Sequence, residues 1–247
     1  MGYHKRTAVI SADEIEITKF YGGMVGNHSK RKSREQCART CKAVEKHNYK
    51  MTVKKLYDLL RMNFDAGDWH LALTYRQGTM SDIAAAEHEV SNFLQRLRRY
   101  CRKAGITLKY IWNTDVGKRG GIHHHIILPK EIPYAEIQRM WTCGMVKVNS
   151  ILWHNKDFYG LAQYLVDPTK QGTLPDIHRK GARRYKPSNN LLRPKVEYEY
   201  IQADSWLKNP RAPKGWQVKK DSVYNSVDEY TGYPYQVYTI VPIARRI

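Results

Sequence analysis

The sequence predicts an α+β fold, an antiparallel sheet with helices on one face in the manner of ferredoxin-like or RRM-like cores. Three observations predict it. Residues 69–76 alternate, with Trp69, Leu71, Leu73 and Tyr75 on one face and His70, Ala72, Thr74 and Arg76 on the other, the period of a half-buried strand. Residues 83–104 instead place Ile83, Ala86, Val90, Phe93, Leu94, Leu97, Cys101 and Ala104 on one helical stripe. From 69 to 166 the elements read strand, helix, strand, strand, helix, strand, helix, an order that packs helices onto an antiparallel sheet.

Each element has its own signals. Ser81 is placed to cap the long helix, and Gly105 closes it. Its last turns collect Arg96, Arg98, Arg99, Arg102 and Lys103, where cations suit the helix dipole. A strand over Thr107–Asp115 leads into the turn 116–121, and a second strand covers Ile122–Leu128 up to Pro129. Pro133 opens a short helix over Tyr134–Trp141, Met145–Leu152 is a fourth strand, and a helix over Asp157–Val166 stops before Pro168.

Outside this core the signals thin. One strand is expected at Glu14–Phe20, then a basic arm, Lys30-Arg31-Lys32-Ser33-Arg34. A helix with Thr52 as N-cap carries Leu56, Leu59, Leu60 and Phe64 on one face. A basic patch (Arg179, Lys180, Arg183, Arg184, Lys186) precedes a Tyr-rich ending, Tyr230–Tyr238, with a final strand. The expected organisation is a basic N-terminal extension over 1–66, a compact domain over 67–170 and a Tyr-rich C-terminal extension over 171–247.

Composition narrows the function. Forty-two Lys and Arg against 23 Asp and Glu, net +19, make a surface attractive to polyphosphates. Eighteen Tyr and six Trp among these charges suit a single-strand groove, where bases stack and phosphates are neutralised. No apolar run is long enough to span a membrane, and the first residues do not read as a secretory signal. The cysteines (Cys37, Cys41, Cys101, Cys143) form no C-x-x-C pair and read as reduced thiols of a cytoplasmic protein.

The chemistry concentrates in Gly121-Ile122-His123-His124-His125-Ile126-Ile127-Leu128. On a strand His123 and His125 share a face and His124 takes the other. A hairpin closed over 116–122 sets Asp115 beside His123 on the same face. Two imidazoles and a carboxylate with open positions suit Mg²⁺ or Mn²⁺ acting as a Lewis acid on a phosphate.

These segments resemble the HUH endonucleases, the rolling-circle replication initiators of bacterial plasmids and integrative elements, with a more distant likeness to filamentous-phage replication proteins. Leu71-Ala72-Leu73-Thr74-Tyr75 is similar to the family's first strand motif. Asp115, the basic turn with Lys118 and Arg119, and His123-His124-His125 are similar to its metal motif. Leu161-Ala162-Gln163-Tyr164-Leu165 is similar to its tyrosine helix. The Tyr-rich ending resembles the tails of Gram-positive members.

The resemblance implies that Asp115, His123 and His125 bind a divalent metal and that Tyr164 attacks single-stranded DNA, leaving a 5′-phosphotyrosyl enzyme and a free 3′-OH. It implies DNA contacts at Lys118, Arg119, Lys30, Arg31 and Lys32. The partners it implies are single-stranded or hairpin DNA at a replication origin, with a host helicase and polymerase. Tyr159, five residues before Tyr164, is the other candidate nucleophile. The middle of the metal motif is His124 rather than a plain hydrophobe, and Asp167 stands where relatives often carry Lys.

Three other readings share these residues. An HUH-type transposase would differ only in its DNA. A non-catalytic nucleic-acid-binding module would use the histidines as a structural metal site. A metal-dependent nuclease would activate water instead of tyrosine.

Overall fold

The computed structural model describes residues 2–11, 13–21, 34–117, 120–151, 158–167, 184–227 and 232–243. Along the chain the elements are β1 (Tyr3–Ser11), β2 (Glu14–Phe20), α1 (Arg34–Asn63), β3 (Trp69–Thr74), α2 (Ile83–Ala104), β4 (Ile111–Val116), β5 (Ile122–Leu128), α3 (Tyr134–Met140), β6 (Val146–Ile151), α4 (Phe158–Val166), β7 (Lys186–Pro187), β8 (Lys195–Ile201), β9 (Trp216–Val218), β10 (Tyr224–Val227) and β11 (Pro234–Pro242). They form two antiparallel sheets and two compact units, one of residues 53–192 and one of residues 1–52 with 193–247. The fold is α+β, as the alternating pattern requires.

The 53–192 unit holds the sheet β6-β3-β5-β4-β7. Leaving out the two-residue β7, its chain order is that of a ferredoxin-like βαββαβ motif, with β3 and β5 central. Leu71, Leu73, Trp112, Ile126 and Leu128 meet Val90, Phe93, Leu94 and Leu97 of α2 and Ile137 and Met140 of α3 in one buried core. So α2 and α3 cover one face of the sheet. The opposite face carries α4, because Asn113 donates through Nδ2 to the Leu165 carbonyl at 3.1 Å. The second half of α1 is buried through Val53, Leu56, Leu59 and Leu60 and meets α4 where Tyr57 stands edge-on to Tyr159, 5.6 Å between ring centroids.

Local chemistry shifts several element ends from their expected places. Asp82, not Ser81, caps α2, its carboxylate accepting from Ala85 N at 2.7 Å. Asp and Ser serve comparably as caps, and the helix starts at the residue after Asp82. Gly105 ends α2 in the left-handed conformation (φ 69°), as expected. Thr52 caps nothing, because α1 begins eighteen residues earlier and Thr52 Oγ1 donates back to the Asn48 carbonyl at 2.7 Å. The strand expected from Thr107 starts at Ile111, and residues 106–110 are irregular.

The other unit is built from both ends of the chain. Its six strands run β10-β11-β2-β1-β8, with β9 also pairing β11. Of these, only β2 and β11 are evident from local pattern. On one face Trp216 and Val218 of β9, with Ala212 from the segment before it, pack on Ile17, Tyr238 and Ile240. The 30–33 part of the basic arm, Lys118, Arg119, Pro168, and Arg179, Lys180 and Arg183 of the basic patch lie outside the described residues. Among the described residues, no helix is long and apolar enough to cross a membrane.

Candidate metal centre

Hairpin register builds the site. β4 pairs β5 with Asp115 opposite His123 and Asn113 opposite His125. The turn that fixes this register is tied by Gly117 N to Gly121 O at 2.9 Å and Gly120 N to Gly117 O at 2.8 Å. Gly120 has φ 77°, which favours glycine there. Asp115, His123 and His125 bring one ligand atom each to within 4.8 Å of one another, forming a possible metal-binding site.

The donors are already oriented. Asp115 Oδ1 accepts from Val116 N at 2.8 Å, while Oδ2 lies 3.7 Å from His123 Nε2 and 3.7 Å from His125 Nε2. His123 Nδ1–H donates to the Gly121 carbonyl at 3.3 Å, which leaves its Nε2 lone pair for the centre. Burial, helped by His125, pushes the His123 pKa down against the pull of Asp115. Both effects favour the neutral imidazole that a cation requires. The amide of Asn149 lies 3.0 Å from His125 Nδ1. With its oxygen toward the ring it accepts Nδ1–H, the outer hydrogen bond that fixes a ligating histidine. The donor set, two imidazoles and a carboxylate, fits a divalent cation with open positions.

Asn149 escapes a local reading because of a bulge. The β3–β6 register passes from His70↔Ser150 to Leu71↔Val148, leaving Asn149 as the extra residue. Bulges re-aim side chains next to functional sites.

Tyr164 stands at the rim. Its hydroxyl donates to His125 Nε2 at 3.2 Å, and its ring is edge-on to His125 at 5.1 Å. Burial, then the charge of Asp115, raises its pKa. His70 completes this side, 5.4 Å from the His125 ring and 6.2 Å from the Tyr164 ring. It is kept neutral by burial, aided by His125, with a pKa pushed down to about 3. Neither Asn149 nor His70 stands out in the sequence as part of the centre. Tyr159 is 44% exposed and packs on Tyr57 instead.

His124 points to the other face and is fully buried. Tyr75 gives its proton to the Ala86 carbonyl, so His124 Nε2–H donates to the Tyr75 oxygen at 2.9 Å, and Thr114 donates to Nδ1 at 3.1 Å. Burial dominates its pKa, pushed down to about 3. The third histidine is thus a satisfied core group on the helix-covered side.

A His/Asp cluster on an antiparallel sheet, with a phenol at its rim, is a class of site able to hold a divalent metal. Residues 68–169 match the model of the Replication-associated protein ORF2/G2P family. The matched segment spans every residue of the centre and α4. The curated proteins and the solved structures gave no match.

Proposed function

We propose that this chain is a metal-dependent, sequence-specific nicking and joining enzyme for single-stranded DNA, of the HUH type, that initiates rolling-circle replication. The observation that carries the reading is the Tyr164 hydroxyl 3.2 Å from His125 Nε2, at the edge of the Asp115, His123 and His125 cluster. The replication-associated match over the same segment supports it.

Asp115, His123 and His125 would hold the cation, which when bound polarises the scissile phosphate and stabilises developing negative charge. His125 Nε2 cannot serve the phenol and a cation together, so Tyr164 leaves this hydrogen bond in the loaded enzyme. Its Oη then attacks phosphorus. An Oη–P bond forms and the P–O3′ bond breaks; the phenolic proton is lost to solvent, and the departing 3′ oxygen takes one up. The product is a 5′-phosphotyrosyl enzyme and a 3′-OH that primes synthesis. Reversal of the step rejoins the strand without ATP. On this reading unwinding is the task of a host helicase, and synthesis that of a host polymerase.

The test is a labelled pool of random single-stranded oligonucleotides with Mn²⁺, resolved on a denaturing gel. Wild type and Tyr159→Phe give a covalent protein–DNA band, and Tyr164→Phe gives none. Cleavage without a covalent band in Tyr164→Phe would instead mark a water-using nuclease. Metal and DNA binding without cleavage by any form would mark a non-catalytic module.

A further inference from the structure

The unit of residues 1–52 and 193–247 carries five rings in a row across five neighbouring strands. Pairing places Tyr200 of β8 opposite His4 of β1, His4 opposite Phe20 of β2, and Phe20 opposite Tyr235 of β11. Two sets of rings touch within it, the first with Tyr200 and His4 at 5.4 Å and His4 stacked on Phe20 at 5.5 Å. Tyr224 of β10 extends the row, 5.9 Å from Tyr235. Tyr198 is 67% exposed, Tyr200 60% and Tyr224 56%. This is the opposite face to the one packed by Trp216 and Val218. Farther along the same face Ala8, Ile10 and Glu16 are buried, so the ring end is the open end.

Charge on this face is also ordered. Strand alternation turns Glu197 and Glu199 of β8 to the other side, where Lys195 and Lys5 pair them. On the ring face the acids of β2 are Glu16, paired with Arg6, and Glu14, paired with Lys219. The unit as a whole holds 20 Lys and Arg against 11 Asp and Glu.

We infer that this face is a second nucleic-acid site, a stacking platform for single-stranded DNA laid across the strands. The exposed rings of Tyr198, Tyr200 and Tyr224 along this row offer bases faces to stack on, while the basic unit neutralises phosphates. At about 4.8 Å between strands the row spans roughly 19 Å, room for a few nucleotides. The platform reads no base edges, so it binds any unpaired strand. It rests on the replication reading only for the choice of DNA over RNA.

The test uses the full chain in EDTA, so that nicking plays no part, and a non-origin oligodeoxythymidine of about fifteen nucleotides. With 5-iododeoxyuridine in the strand, ultraviolet crosslinks should map to peptides bearing Phe20, Tyr200, Tyr224 or Tyr235. Crosslinks confined to residues 53–192 would overturn the inference. By fluorescence anisotropy the pair Tyr200→Ala with Tyr224→Ala should weaken binding about tenfold or more, and the pair Tyr200→Phe with Tyr224→Phe should restore it. Alanine variants within about twofold of wild type would overturn the platform. RNA of the same length bound as tightly would overturn its assignment to DNA. A lost covalent band with retained crosslinks defeats the nicking reading alone, and the converse result defeats this inference alone.

Discussion

Asp115 divides its two oxygens between a backbone amide and the centre, so its charge and its position are separable. Asp115→Asn keeps a hydrogen-bonding oxygen for Val116 N but removes the charge. Mn²⁺ binding by calorimetry should collapse and cleavage should disappear, with salt-sensitive DNA binding within a few-fold of wild type. Asn149→Ala removes only the outer hydrogen bond to His125 and should weaken Mn²⁺ about ten- to a hundredfold. His124 answers to pH. Held neutral in the fold with a pKa of about 3 against an ordinary 6.5, it binds fewer protons than in the unfolded chain between those values. Stability is therefore full above pH 6.5 and falls as pH drops, by about 2 kcal/mol at pH 5 from this group. Denaturant midpoints at pH 7 and pH 5 check the direction, and His124→Gln should remove this group's share of the difference while the share of His70, also lowered to about 3, remains. At this scale the pairing of Asp115 with His123 was legible, because strand parity and hairpin closure both act within one short segment. Asn149 and His70 were not, because a bulge and a neighbouring strand deliver them, and neither leaves a local signal.

Elements position the centre through a few backbone contacts. Asn113 ties α4 to the sheet through Leu165. Asn113→Leu should loosen Tyr164 and lower the rate of covalent adduct formation while metal affinity stays near wild type. Gly144 precedes β6, where a Cβ would collide with the Thr74 carbonyl and the Tyr75 backbone. Thr74 N donates to Met145 O at 2.9 Å and Arg76 N to Cys143 O at 3.1 Å, so neither chain can yield cheaply. Gly144→Ala should cost about 2 kcal/mol, visible as a lowered Tm. The core elements were legible in order because their apolar periods differ, 2 for the strands and 3.6 for α2. Their ends were not, since Asp82 and Ser81 are competing caps one residue apart and only the fold selects between them. The beginning of α1 was hidden because its first half lacks the apolar stripe of its second.

At the scale of the molecule, the segments expected as separate extensions contribute strands to one sheet. β2 and β1 lie at its centre, flanked by β11 and β8. The pairing was illegible in the sequence because β1, β8 and β10 mix charges and rings without a continuous apolar face, and their partners lie far away along the chain. Deleting residues 1–21 should therefore make residues 193–247 sensitive to limited proteolysis, while the fragment 53–192 keeps a cooperative unfolding transition.

That arrangement has a consequence for synthesis. The β1–β2 hairpin leaves the ribosome early, with both outer edges awaiting strands that emerge roughly 200 residues later. At ~5–20 residues per second the wait is about 10–40 s. The 53–192 unit can close in that interval, since every strand of its sheet lies within those residues. Lys5, Arg6 and Lys19 on the waiting strands are the kind of charge that discourages edge-to-edge association. A chain halted after residue 192 would still hold every residue of the centre, attached to a hairpin whose outer edges lack their partner strands.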